Sequence, residues 1–349
     1  MKNKNFIKLT SIYYLAAILV CVWFVLGFTG VLKNDIISSV LIQIVTMLIV
    51  PFFLYTLFVS KNPKQTLKDT GIKKISLKMV GICLILGVLL YFFNSFVANF
   101  FSTSLSLLGW ENLYAKFGTT TVKFSYGLLI KEFILSAILP AICEEFLHRG
   151  LLLHAGKKCG NTKFCLIISS VLFGLMHLNV QQFFYATILG FIIGYVTLVA
   201  DSIVPSIILH FMNNALSTYF YYGSVLGWKI PTAYYKIKSV LSGNILLNII
   251  LSCICLFSII YLIIYLIKKL KEEQTKNRIK NIVKNLNITN LPINEMQAKI
   301  DEINKIIKNK TVYAFQSSKK LSLKNNVFVI SSFVLTSLIT LSSLIWGLI

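Results

Sequence analysis

The chain has 349 residues, of which 56% are hydrophobic and only 13% charged, with a formal net charge of +22. Water-soluble domains carry about 25% charged residues, and the mean hydropathy here is +0.76. These values exclude an ordinary soluble enzyme and predict an all-α, polytopic transmembrane helix bundle. Seven scattered cysteines form no Cys-x-x-Cys pair, so neither a disulfide framework nor a zinc knuckle is indicated.

Lys2 and Lys4 precede a first apolar run over about 12–32 that lacks an Ala-x-Ala end. This predicts an uncleaved first span. Further runs follow at about 36–59, 78–102, 125–156, 163–178, 183–200, 203–222, 244–267 and 327–348. Most fit the roughly 17–25 residues that cross a bilayer, which gives eight to nine spans. The fifth is short, and the fourth is long and broken by charge. The organisation expected is an N-terminal part (1–124), a core (125–222), an outer loop with the next span (223–267), a basic loop (268–326) and a last span (327–349).

Alternating the spans divides the loops into two sets. Residues 1–11, 60–78, 157–163, 201–202 and 268–326 hold 26 of the 34 Lys and Arg, and the opposite loops hold six. Positive loops stay in the cytoplasm, so the N-terminus is expected inside and, with nine spans, the C-terminus outside. Trp110, Trp228 and Trp346 then fall near the outer interface, where such rings are favoured. Topology accounts for most of the net charge, and no nucleic-acid partner is expected. In 268–326, Asn294 is a candidate N-cap for a helix from about Glu295. Ile293, Met296, Ile300, Ile303 and Ile307 recur at helical spacing. With Lys276–Asn287 and Pro292 before it, this reads as a basic helical hairpin. It would be a solvated connector attracted to anionic headgroups, or else a docking element.

The stretch Cys143-Glu144-Glu145-Phe146-Leu147-His148-Arg149-Gly150 lies inside the fourth apolar run. An ionised group at bilayer depth costs roughly 2.5–3.5 kcal/mol on insertion scales, so other polar groups are expected to meet it. Helical spacing pairs Glu145 with Arg149 and Glu144 with His148. Two later runs carry Phe173 with His177 and His210 with Asn214. At 1.5 Å per residue, Glu144 lies about 20 Å from Lys157, and His177 about 21 Å from Lys163. His210 lies about 13 Å from Asp201. Three helices would thus converge on one polar cavity. Glu145 with Arg149 also reads as a structural ion pair, His177 as a core histidine and Asn214 as interhelical glue. The two adjacent glutamates point about 100° apart on a helix and are not expected to act as an acid/base dyad.

At these residues the chain resembles the CPBP group of intramembrane proteases, also called the CAAX-protease/Abi or type II CAAX prenyl endopeptidase family. Glu144-Glu145 with Arg149, Phe173 with His177, and His210 with Asn214 match its three motifs in order, over roughly residues 125–222. His148 departs from the pattern, where an aromatic residue is usual. It would either tune Glu144 or sit against headgroups or a neighbouring helix. The resemblance implies peptide-bond hydrolysis in or beside the membrane. Glu144 is the candidate general base, since desolvation makes a carboxylate hold a proton more readily. His177 would orient the water, His210 and Asn214 would face the oxyanion, and Glu145 with Arg149 would brace the site. Glu144, His177 and His210 would also supply a zinc site, but a metal-free route is slightly favoured, and the cofactor stays open. The Lys-, Asn- and Ile-rich composition suggests an AT-rich bacterial genome and a plasma-membrane location. The expected partners are the bilayer and a membrane-associated peptide or protein substrate. The rival readings are a catalytically silent immunity protein of the bacteriocin type, and a transporter in which Lys131 and Glu132 extend the polar path.

Overall fold

Ser and Asn side chains punctuate the apolar runs, and helices begin there. The computed structural model describes residues 2–32, 34–110, 124–157, 161–242, 245–284, 293–308 and 327–348. Among them there is no strand. Helix α1 spans Lys2–Phe28, α2 Ile36–Ser60, α3 Pro63–Asp69 and α4 Leu77–Leu107. Helix α5 spans Tyr126–Ala155, α6 Thr162–Leu175, α7 Val180–Ala200 and α8 Val204–Val225. Helix α9 spans Lys229–Ser242, α10 Ile245–Lys284, α11 Ile293–Lys308 and α12 Val327–Leu348. Ser76, Ser125, Asn161 and Asn179 cap α4, α5, α6 and α7 by accepting backbone N–H groups of the first turn. Each such cap contributes about 1 kcal/mol.

Among the described residues, seven helices are long and apolar enough to cross a membrane: α1, α2, α4, α5, α7, α10 and α12. Two of the nine apolar segments expected from sequence fall outside that group. Helix α6 has only 14 residues. Helix α8 has 22, but it carries His210, Asn213 and Asn214 through its middle. Both still pack into the bundle, α6 on α7 and α8 on α4. The outer faces carry apolar side chains in the open, such as Phe53, Ile85, Phe257 and Leu338. Lipid rather than water suits these faces, and the chain is an integral membrane protein.

Two sequence expectations are corrected beyond the core. Lys276 onward was expected to be a separate hairpin arm, but Ile245–Lys284 is one 40-residue helix. No Pro or Gly interrupts 245–284, so the span continues straight into its basic extension. The second arm starts at Ile293, which puts Asn294 in the first turn rather than at the cap. The expected turn with Pro292 lies outside the described residues.

Loop residues of each sequence-derived set meet one another. At one end, His154 Nδ1 is 3.0 Å from the Asp69 carbonyl and its Nε2 is 3.1 Å from Asp201 Oδ1. Lys157 and Lys73 both ion-pair with Asp201. The Ser202 hydroxyl donates to the Lys73 carbonyl at 2.8 Å. Gly71 has φ +78°, and an added Cβ would stand 2.5 Å from the His154 ring, so this turn needs glycine. At the other end, Trp110 Nε1 donates to the Ser343 carbonyl at 3.2 Å, and the Val180 N–H donates to Ser343 Oγ at 3.0 Å.

Candidate active site

The motif helix α5 is not uniformly α-helical. Its hydrogen-bond register widens to i→i+5 at Phe133–Ile138 and again at Phe146–Ala155, with an ordinary α turn at Leu139–Glu145 between them. Wide turns of this kind are rare and occur often at functional sites. The α turn carries both glutamates and sends them to different sides. Glu145 is fully buried, whereas Glu144 is half-buried and lines a cavity of about 510 Å³.

Glu145 Oε1 accepts two hydrogen bonds, from Arg149 Nη1 at 2.8 Å and from His210 Nδ1 at 2.9 Å. Arg149, also fully buried, donates through Nη2 to the Gly190 carbonyl at 3.1 Å. Its guanidinium carbon lies 4.2 Å from the centre of the Phe173 ring. A buried charge needs a partner and hydrogen bonds together, and here a carboxylate, a carbonyl and a ring face supply them. Gly190 makes the approach feasible, because a Cβ there would come within 3.1 Å of Arg149 Nη2.

Phe173 is the hub of the second motif. The rings of His148, His177 and His210 meet it edge-on, at centroid distances of 5.1, 5.1 and 5.6 Å. Helix α6 ends at Leu175, so His177 stands just past the Met176 cap. Leu178 at φ +53° then turns the chain into α7. His177 Nδ1 donates to the Phe173 carbonyl at 2.9 Å. That carbonyl can only accept, so the neutral ring presents Nε2 as an acceptor. The departing His148 does not tune Glu144 through a direct bond. It is buried, with Nδ1 3.2 Å from the Tyr13 hydroxyl of α1. A neighbouring helix therefore takes it up.

Asn214 is held by a directed chain of amides. Asn94 Nδ2 on α4 donates to Asn213 Oδ1 at 3.2 Å, Asn213 Nδ2 to Asn214 Oδ1 at 3.0 Å, and Asn214 Nδ2 to the Ser136 carbonyl at 2.9 Å. Pro140 has no N–H, so the turn before it has one backbone donor fewer. The Ser136 carbonyl in that turn fixes one Asn214 N–H and leaves the other available.

Of the six residues predicted from sequence, Glu144, His177, His210 and Asn214 line the same cavity, while Glu145 and Arg149 stand behind it. Sequence reading missed Gln43, Asn94 and Asn213, which line it too. The signal available was an amide within an otherwise apolar run, visible as a lone amide at Gln43 of α2 and, together with Asn99, at Asn94 of α4. Glu144, His177 and His210 share the cavity. Yet among the described residues no three His, Cys, Asp or Glu side chains stand close enough together to hold a metal ion. The donor set does not fit a metal in this arrangement.

Residues 126–216 match the family model described as type II CAAX prenyl endopeptidase Rce1-like. No curated protein and no solved structure matches the chain. The matched segment runs from the start of α5 into the middle of α8 and contains all three motifs. Residues 126–216 of this integral membrane protein are therefore similar to the type II CAAX prenyl endopeptidase (Rce1-like) family, consistent with the three motifs they carry.

Proposed function

We propose that the chain is an intramembrane endopeptidase that hydrolyses a peptide bond in a membrane-associated peptide or protein. One observation carries this reading: Glu144 of α5, His177 of the α6–α7 turn, and His210 and Asn214 of α8 line one cavity in a chain whose motif segment matches a protease family. Glu144 is the general base that takes a proton from the attacking water. His177, with Nδ1–H committed to the Phe173 carbonyl, accepts a hydrogen bond at Nε2 from the water's other O–H and so orients it.

The developing oxyanion needs donors aimed where charge appears. Asn214 contributes its second Nδ2–H. His210 gives its Nδ1–H to Glu145, so it donates into the cavity only as the imidazolium, through Nε2–H. The Glu145 carboxylate behind it offsets that charge. Glu145 and Arg149 thus act on the reaction through His210. The loops that meet at Asp201 belong to the cytoplasmic face in this reading, with the basic extension of α10 facing anionic headgroups. The origin is bacterial, and the substrate is not prenylated.

The test is cleavage of membrane peptides by the purified protein in vesicles, compared with Glu144→Gln, alongside comparative membrane peptidomics of cells carrying each form. The variant is expected to fold normally and to lose cleavage by at least about 100-fold, the lower range for a general base. Full activity in Glu144→Gln would overturn the assignment.

A further inference from the structure

Glu144 is held by a residue from outside the family segment. Gln43 lies on the widened stretch Val40–Ile49 of α2, which packs on the α turn Leu139–Glu145 of the motif helix. Gln43 Nε2 donates to Glu144 Oε1 at 2.8 Å. Because an ionised carboxylate only accepts, the amide orientation is determined: nitrogen faces Glu144 and oxygen faces away. Gln43 Oε1 is then a buried acceptor with no partner among the described residues. Both side chains line the cavity.

We infer that Gln43 is a positioning residue for Glu144, holding one carboxylate oxygen so that the other is presented to the attacking water. The inference rests on Glu144 being the base. Its physical content is rotational. Glu144 carries three side-chain torsions, and no other hydrogen bond ties its carboxylate among the described residues. Gln43 supplies the one fixed donor. The widened turns of α2 lay this polar amide against the motif helix, within a run that is otherwise apolar apart from small hydroxyl residues. A base displaced by about 1 Å loses on the order of 100-fold in rate.

The experiment compares wild type, Gln43→Met and Glu144→Gln in vesicles. Methionine keeps the length and removes the donor. Cleavage kinetics are read with the infrared carboxylate band of Glu144, identified by its loss in Glu144→Gln. The expected result for Gln43→Met is a fall in kcat on the order of 100-fold, with KM within a few-fold, the protein folded and the carboxylate band shifted. Unchanged kcat with Glu144→Gln inactive would overturn the role of Gln43 and leave the base assignment standing. Retained cleavage in Glu144→Gln would overturn the base assignment instead. An unshifted band would overturn the Gln43 contact whatever the kinetics show.

Discussion

The Glu145–Arg149 pair is a fully buried ion pair in the site, with a large energetic stake. Both side chains are fully buried, and Glu145 also receives the His210 Nδ1–H. Removing one partner of a buried ion pair leaves the other uncompensated and costs about 3–5 kcal/mol. Glu145→Leu is therefore expected to lower the thermal midpoint strongly and to abolish cleavage. The double variant Glu145→Leu with Arg149→Met removes both charges and should regain most of the lost stability, since apolar replacement of such a pair is often neutral. Cleavage should stay absent, because His210 no longer has an acceptor at Nδ1. A double variant that regained both would show the pair to be a brace alone.

At the scale of elements, the widened turns of α5 and the proline between them matter more than helix propensity. Pro140 leaves the preceding turn one backbone N–H short, and Asn214 donates to the Ser136 carbonyl of that turn from α8. Pro140→Ala restores the N–H. It is expected to keep or raise the thermal midpoint, because Pro inside a helix is unfavourable by about 3 kcal/mol. The regained N–H competes with Asn214 for the carbonyl, so kcat is expected to fall about tenfold, equivalent to roughly 1.4 kcal/mol of transition-state stabilisation. A faster or unchanged Pro140→Ala enzyme would show that the Ser136 carbonyl has no part in aiming Asn214. The three motifs and the Glu145–Arg149 spacing were legible because four-residue periods survive in a polar-among-apolar pattern. The widened turns and the break of α6 before His177 were not, since both arise from backbone register that residue type hardly encodes.

At the scale of the whole molecule, one end of the bundle is fastened at Asp201, in the left-handed conformation that ends α7. Burial alone would push the Asp201 carboxyl up. The hydrogen bond from His154 and the charges of Lys157 and Lys73 outweigh burial and hold it well below the usual carboxylate range. A carboxyl depressed on folding contributes stability above its unfolded value, near 3.9. That stability disappears as pH falls toward the depressed folded value. The thermal midpoint of Asp201→Asn should therefore lie below that of wild type by a constant gap from about pH 5 to 7, and the gap should narrow below about pH 4. A gap that widened on acidification would contradict the direction of this shift.

Composition alone determined that this chain is an all-α membrane protein, because a bilayer admits few charges and leaves the backbone to bond within helices. The structure joins Asp201 to His154 at the end of α5, and Trp110 to Ser343 in α12. Motif spacing named the six candidate residues. Only the tertiary structure divided them into four that line the cavity and two that stand behind it. It alone brought in Gln43 and Asn94 from helices far away in sequence. Pairings such as Gln43 with Glu144, 101 residues apart, depend on which helices pack and on the local widening of their turns. Neither leaves a periodic trace in one chain.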